Sequence, residues 1–221
     1  MSINLGNIRD NLPSLNFPKL SKQAVSKARQ YIKPELFQAL FDITVNDYYS
    51  YKHKYYLWND YHLFAVDGPQ IHRAYSIKET YGSQGDSRYE KRHYMGQGSV
   101  LYDVSQDIII DAQIEHCLFS ERKLAKQHLQ KLKGMNISQN ALIIFDRGYY
   151  SVDLYNYIIS LGFHCLMRIK KQCTSLTQEK SDDEFIDHPK LDGTVRTIKV
   201  PLSSGETEYL VTDITDPAFT P

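Results

Sequence analysis

Ala141-Leu-Ile-Ile-Phe145, followed without a break by Asp146-Arg147-Gly148-Tyr149-Tyr150-Ser151, is the stretch that decides the fold. Five apolar residues closed by a turn signal are too short for a helix and suit a strand buried on both faces. Ser151 can cap a helix, and Leu154, Tyr155, Ile158 and Ile159 then recur on one face until Gly162 stops it. Phe163 to Ile169 reads as the next strand and runs into Lys170-Lys171. Strand, helix and strand in this order predict an α/β protein.

The same device occurs earlier. Leu63-Phe-Ala-Val66 is a continuous apolar run that ends in Asp67-Gly68-Pro69. Between the two runs, Ser99-Val-Leu-Tyr-Asp-Val104 and Asp107-Ile-Ile-Ile-Asp-Ala-Gln-Ile114 predict paired strands, with Ser105-Gln106 as a tight turn. Ser120 is placed to cap a helix with Leu124, Ala125, Leu129 and Leu132 on its inner face and Gly134 at its end. The result is a mixed sheet with flanking helices. Residues 75–95 are polar and read as a loop. Residues 174–215 lean towards β-structure and are expected to form small antiparallel strands outside the main sheet.

Ahead of this body, residues 1–20 form an Asn-, Pro- and Ser-rich lead-in. Ser21 can cap a helix from Lys22 to about Ile32, and Pro34 suits the first turn of another that carries Leu36, Phe37, Leu40 and Phe41. The expected divisions are an N-terminal helical unit over 1–55, the α/β core over 56–171 and a β-rich segment over 172–221.

The chain has 221 residues, 42% of them hydrophobic and 24% charged, enough to bury a core and unlike a collagen or a fully disordered chain. Lys plus Arg and Asp plus Glu are both 26, which argues against a uniformly basic nucleic-acid binder. The balance is uneven, however. Residues 1–180 hold 23 basic and 17 acidic side chains, and residues 181–221 hold 3 and 9. Three cysteines without a C-x-x-C pair favour a reducing cytoplasm over a disulfide framework. No signal peptide and no apolar run long enough for a membrane span are visible.

Two strands that end in Asp beside Gly raise a chemical possibility. Ligands of open α/β sheets bind beyond the carboxyl ends of the strands. Asp67 and Asp146 projected there together make an all-oxygen site suited to Mg2+ or Mn2+ and not to zinc. The matching chemistry is two-ion cleavage or transfer of a phosphodiester. On the strand pattern alone the plainer reading leads, because Asp also ends strands as a turn former. Arg147, Arg168, Lys170 and Lys171 lie near the same ends and could hold DNA phosphates, as could Lys22, Lys27, Arg29 and Lys33 on the first helix; a solvated surface is the alternative for each. The 17 tyrosines offer stacking surfaces, though packing is their commoner use. His116-Cys117 and His164-Cys165 lack zinc-ligand spacing, and no Walker A, Rossmann or Gly-x-Ser-x-Gly pattern occurs.

Taken together, Leu63-Phe-Ala-Val-Asp67-Gly68, Ser99-Val-Leu-Tyr-Asp-Val104, Ile143-Ile-Phe-Asp146-Arg-Gly-Tyr-Tyr-Ser151 and Phe163-His-Cys-Leu-Met-Arg168-Ile-Lys170 resemble an insertion-sequence transposase of the DDE class. More narrowly, they resemble the family named after insertion sequence four. Lys22-Gln-Ala-Val-Ser-Lys-Ala-Arg29 is similar to that family's N-terminal helix. The resemblance implies a ribonuclease-H-like core, Asp67 and Asp146 as its first two catalytic and metal-binding acids, and Mg2+ or Mn2+ in a two-ion site. It implies cutting of double-stranded DNA at element ends and joining of the freed 3′-hydroxyl to target DNA, with a homodimer as one expected assembly. It also implies a β-strand insertion over 172–215. The family's third acid is a Glu within a Tyr-x-x-Arg-x-x-x-Glu-x-x-x-x-x-x-Lys signature on a later helix. That string is absent, and Asp216-Pro-Ala-Phe-Thr-Pro221 resembles the stretch shortly before it, so the expectation is a chain truncated ahead of its third acid. Glu206 and Glu208 match the signature in neither neighbours nor position. The second expectation is a non-catalytic DNA-binding or regulatory form of such a transposase.

Overall fold

In the computed structural model the described residues are 21–51, 55–72, 95–135, 137, 140–177, 181–216 and 219. The expected lead-in over 1–20 lies outside them, as does nearly all of the expected loop over 75–95. The chain divides into two compact units at Tyr51/Lys52.

Among its described residues the first unit holds two helices. Helix α1 spans Lys22–Arg29, and Ser21 Oγ accepts from the Ala24 N–H at 3.1 Å, the capping bond its residue type invites. Helix α2 spans Pro34–Tyr51. Pro at its first position costs no hydrogen bond, because that N–H has no partner within a helix. The helix takes in Tyr48 and Tyr49.

Among its described residues the second unit is built on one nine-stranded sheet. Strand β1 (His62–Asp67) and the short β2 (Gln70–His72) run along the same edge of β3 (Met95–Asp103), both antiparallel to it. Strand β4 (Ile108–His116) pairs antiparallel with the other edge of β3. The β3–β4 turn closes through Asp103, whose Oδ1 accepts from the N–H groups of Ser105 and Gln106 at 3.1 and 2.9 Å. Asp107, in the left-handed region at φ 61°, completes it. On its far side β1 pairs parallel with β5 (Ala141–Phe145), which pairs parallel with β6 (His164–Ile169). An antiparallel three-strand meander followed by two parallel strands, in the order β4-β3-β1-β5-β6, is the ribonuclease-H-like arrangement.

Helix α3 (Glu121–Lys133) lies on β3 and β4, and α4 (Val152–Ser160) lies on β6 and against α3. Leu124, Ala125, Leu129 and Leu132 of α3 and Leu154, Tyr155 and Ile158 of α4 are fully buried, the apolar stripe the periodicity predicted. Ser151 Oγ accepts from the Leu154 N–H at 3.2 Å as a helix cap should. Ser120 occupies the equivalent place on α3 but makes no side-chain capping bond. Gly162 ends α4 in the left-handed region at φ 75°, which glycine adopts without the strain a Cβ brings.

The β-rich segment departs from expectation. Past the single-turn helix α5 (Thr174–Thr177), strands β7 (Asp183–Ile186), β8 (Val195–Pro201) and β9 (Thr207–Thr212) are not outside the main sheet. Strand β9 pairs antiparallel with β6 from Leu166↔Thr212 to Ile169↔Tyr209, and β8 and β7 continue outward. The reason is the edge of β6. Without β9 its backbone N–H and C=O groups would be unpaired beside a buried strand, which is costly.

Candidate active site at the carboxyl edge of the sheet

Strands β1 and β5 are in register with Val66 opposite Phe145. Asp67 closes β1, and Asp146 is the first residue beyond β5. Both acids therefore stand one step past a paired position on neighbouring parallel strands, which lie about 4.8 Å apart. The fold brings the two sequence-predicted carboxylates side by side at the carboxyl edge.

Each acid keeps most of its oxygen lone pairs open. Asp67 is exposed, and its Oδ1 accepts from the N–H of Gly68 at 2.8 Å. The Asp146 side chain is 59% exposed, and its Oδ1 takes Nη1 of Arg168 at 3.1 Å. Gly68 is required by space and not by dihedral angle. A Cβ there would stand 2.9 Å from Tyr149 Oη, 3.1 Å from Gln97 Nε2 and 3.2 Å from the Gly98 carbonyl oxygen. Tyr149, three residues after Asp146, thus wedges its hydroxyl beneath the backbone that follows Asp67. That hydroxyl is buried. Burial, then the charges of Glu121 and Asp67, push its ionisation far above the ordinary tyrosine range, so it stays protonated.

Glu121 is the residue that sequence reasoning missed. It opens α3, and its Oε1 accepts from Gln97 Nε2 at 3.1 Å. Its Oε2 lies 3.5 Å from the point where a Cβ on Gly148 would stand. The neighbouring Arg122 clamps the turn after Asp146, donating to the carbonyls of Tyr149 and Gly148 at 3.0 and 3.1 Å. An acid in the first turn of a helix is so common a capping preference that nothing in the sequence singles Glu121 out.

The predicted basic residues divide. Arg147 and Arg168 reach the site: Arg168 pairs with Asp146, and both arginines pair with Glu208 on β9. Lys170 and Lys171 sit exposed just past β6, and Lys27 and Arg29 lie in the last turn of α1 in the other unit. The donor set at the edge is all oxygen, which fits a hard divalent cation and not zinc. Among the described residues, no group of three His, Cys, Asp or Glu side chains is arranged to hold a metal ion. His164 is engaged elsewhere, with Asp213 at 2.7 Å, and Cys165 is buried.

Residues 58–206 match the family described as "Transposase DDE domain". Over 138 residues the chain is 29% identical to "Putative transposase InsZ" of Escherichia coli (strain K12), covering 61% of this chain and 44% of that protein. It thus spans less than half the length of the relative it matches. Among solved structures it is similar to a piggyBac transposase synaptic complex with hairpin DNA, at 10% identity and a TM-score of 0.47, over 72% of this chain and 34% of that one. It is also similar to endonuclease V of Ciona intestinalis bound to an inosine-containing DNA, at 9% identity and a TM-score of 0.32, over 80% of this chain and 81% of that one.

Proposed function

The chain belongs to the transposase DDE domain family, and on that premise we propose that Asp67 and Asp146 are the first two acids of a DNA-cutting site. One observation carries this reading: the parallel register that sets Val66 against Phe145 and so puts both acids at one edge of the sheet. In this proposal the two carboxylates hold Mg2+ or Mn2+ in a two-ion site. The bound ions would supply activation of the attacking oxygen and stabilisation of the leaving one. The chain's own groups do the rest. Tyr149 beneath Gly68 and Arg122 behind Gly148 fix the two acid-bearing turns. The exposed carboxylates leave room for a DNA backbone, and Arg147 and Arg168 offer it guanidinium donors. The substrate would be double-stranded DNA at the ends of an insertion sequence of the insertion-sequence-four type. A homodimer bridging two ends and a cytoplasmic setting belong to the same proposal.

A second reading is favoured by a specific feature. Among the described residues, Asp146 is already paired with Arg168 at 3.1 Å, and that positive charge opposes a cation at the carboxylate. In that reading the chain binds element ends without cutting them.

Calorimetric titration with Mn2+ tests the site itself. Asp67→Asn and Asp146→Asn should each weaken Mn2+ binding about tenfold or more while duplex binding in a gel shift persists. Undiminished Mn2+ binding in both variants overturns the assignment. Magnesium-dependent nicking of inverted-repeat DNA that both variants lose separates the cutting reading from the binding one.

A further inference from the structure

Arg147 and Arg168 come from two elements, the turn after β5 and the strand β6 beside it. Both close on one carboxylate. Arg147 Nη2 donates to Glu208 Oε1 at 3.0 Å, and Arg168 Nη2 donates to the same oxygen. Arg168 turns its other terminal nitrogen to Asp146. Its Nε is buried with no hydrogen-bond partner. The arginine side chains remain 43% and 39% exposed, whereas Glu208 is 18% exposed. Glu208 comes from β9, whose register with β6 pairs Leu210 with Arg168. Glu208 is therefore the diagonal neighbour of Arg168 on the same face of the sheet.

The arrangement has the composition of an anion site with an internal anion in it. Two guanidinium groups share a single carboxylate oxygen, and one buried donor, Arg168 Nε, has no partner. A carboxylate and a phosphodiester present the same paired-oxygen geometry to guanidinium, and Arg is the residue that binds either bidentately. We propose that Arg147 and Arg168 form a phosphodiester subsite beside Asp146, and that Glu208 occupies it in the free chain until a DNA backbone displaces it. The proposal rests on the reading of this edge as a DNA site and adds to it how access is governed. Glu208 lowers affinity for bare duplex and keeps both guanidinium groups aimed at the place a phosphate would take. A role for Glu208 as a further acid holding a cation is the competing account. Its two bonded guanidinium groups speak against that, because a cation there would face two positive neighbours.

The experiment is fluorescence anisotropy of the full chain on a short labelled duplex, without divalent ions, across a series of NaCl concentrations. Glu208→Gln should tighten binding about fivefold at low salt, and by less as added salt screens the lost negative charge. Glu206→Gln, which removes the same charge two residues away, should change binding much less. In an Arg147→Ala/Arg168→Ala background Glu208→Gln should have no effect. Glu208→Thr, a good strand former, should act in the same direction as Glu208→Gln if the amide side chain unsettles β9. Equal binding by the Glu208→Gln and Glu206→Gln variants overturns the proposal and leaves the DNA reading intact, as does weakened Mn2+ binding without tighter duplex binding. Absence of duplex binding by every form at low salt overturns both.

Discussion

Asp111 and Asp146 sit in the same unit and are treated in opposite ways. Asp111 on β4 is buried, and three side chains serve it: the His128 ring at 2.7 Å, Lys131 at 2.8 Å and Gln113 at 2.8 Å. The other ring nitrogen of His128 meets Ser99 Oγ at 3.0 Å. With a neutral ring, Nδ1–H donates to Asp111 and Nε2 accepts from the serine. Ser99, His128 and Asp111 therefore have the connectivity of a hydrolase triad. They are not one. Ser99 is 1% exposed and His128 0%, so no substrate reaches the oxygen. Asp146, by contrast, meets one arginine and faces solvent. The difference teaches that hydrogen-bond geometry alone does not mark a reactive group. The acid whose two oxygens are both bonded within the protein stabilises it, and the acid left open at a strand end can take a ligand.

The comparison breaks most visibly at His128. His128→Ala leaves Asp111 buried without its main partner and should cost about 3–5 kcal/mol in urea unfolding. A loss below 1 kcal/mol would mean that the cluster is not satisfied in the way its distances imply. Burial alone would raise the Asp111 carboxyl, but hydrogen bonds from His128, Lys131 and Gln113 more than reverse this and hold it well below the usual carboxylate range.

A smaller effect is expected where the open site meets the core. Gly68→Ala drives a methyl group against Tyr149 Oη, Gln97 and the Gly98 carbonyl. About 1–3 kcal/mol of stability should be lost to overpacking, together with weaker Mn2+ binding as the turn after Asp67 shifts. Stability and Mn2+ binding equal to wild type would show that the wedge does not position Asp67.

The smallest effect belongs to a pair between the two extremes. His164 is held by Asp213, with side-chain exposures of 35% and 15%. The Asp213 hydrogen bond raises the imidazole above its ordinary value, against an opposing effect of burial. A raised histidine stabilises the fold fully below its unfolded value of about 6.5, and the contribution is lost as pH rises through the folded value. The melting temperature should drop slightly between about pH 6 and 8, and Asp213→Asn should flatten that drop. A drop of the same size in the variant would assign it to other groups.

Much of the fold was legible because it is written locally. Apolar runs closed by Asp and Gly located β1 and β5. Apolar spacing located α3 and α4, and Ser21 and Ser151 cap as their residue types require. Asp67 and Asp146 were legible for the same reason, each being the end of a run. The misplacement of β7–β9 had the opposite cause. Strand character can be read from a segment, but the edge a strand joins depends on a partner far away, here β6 some forty residues earlier.

The sequence by itself determined the α/β class, the two strand-end acids and the uneven charge between body and tail, since composition, periodicity and turn chemistry act over a few residues. Only the tertiary structure decided that Val66 and Phe145 share a register, that Glu121 and Tyr149 stand behind the acids, that Ser99, His128 and Asp111 close into a buried cluster, and that Glu208 sits between two arginines. The contacts that do this join residues from 17 to about eighty apart in the chain. Their partners are chosen by strand pairing and packing, which no local pattern encodes.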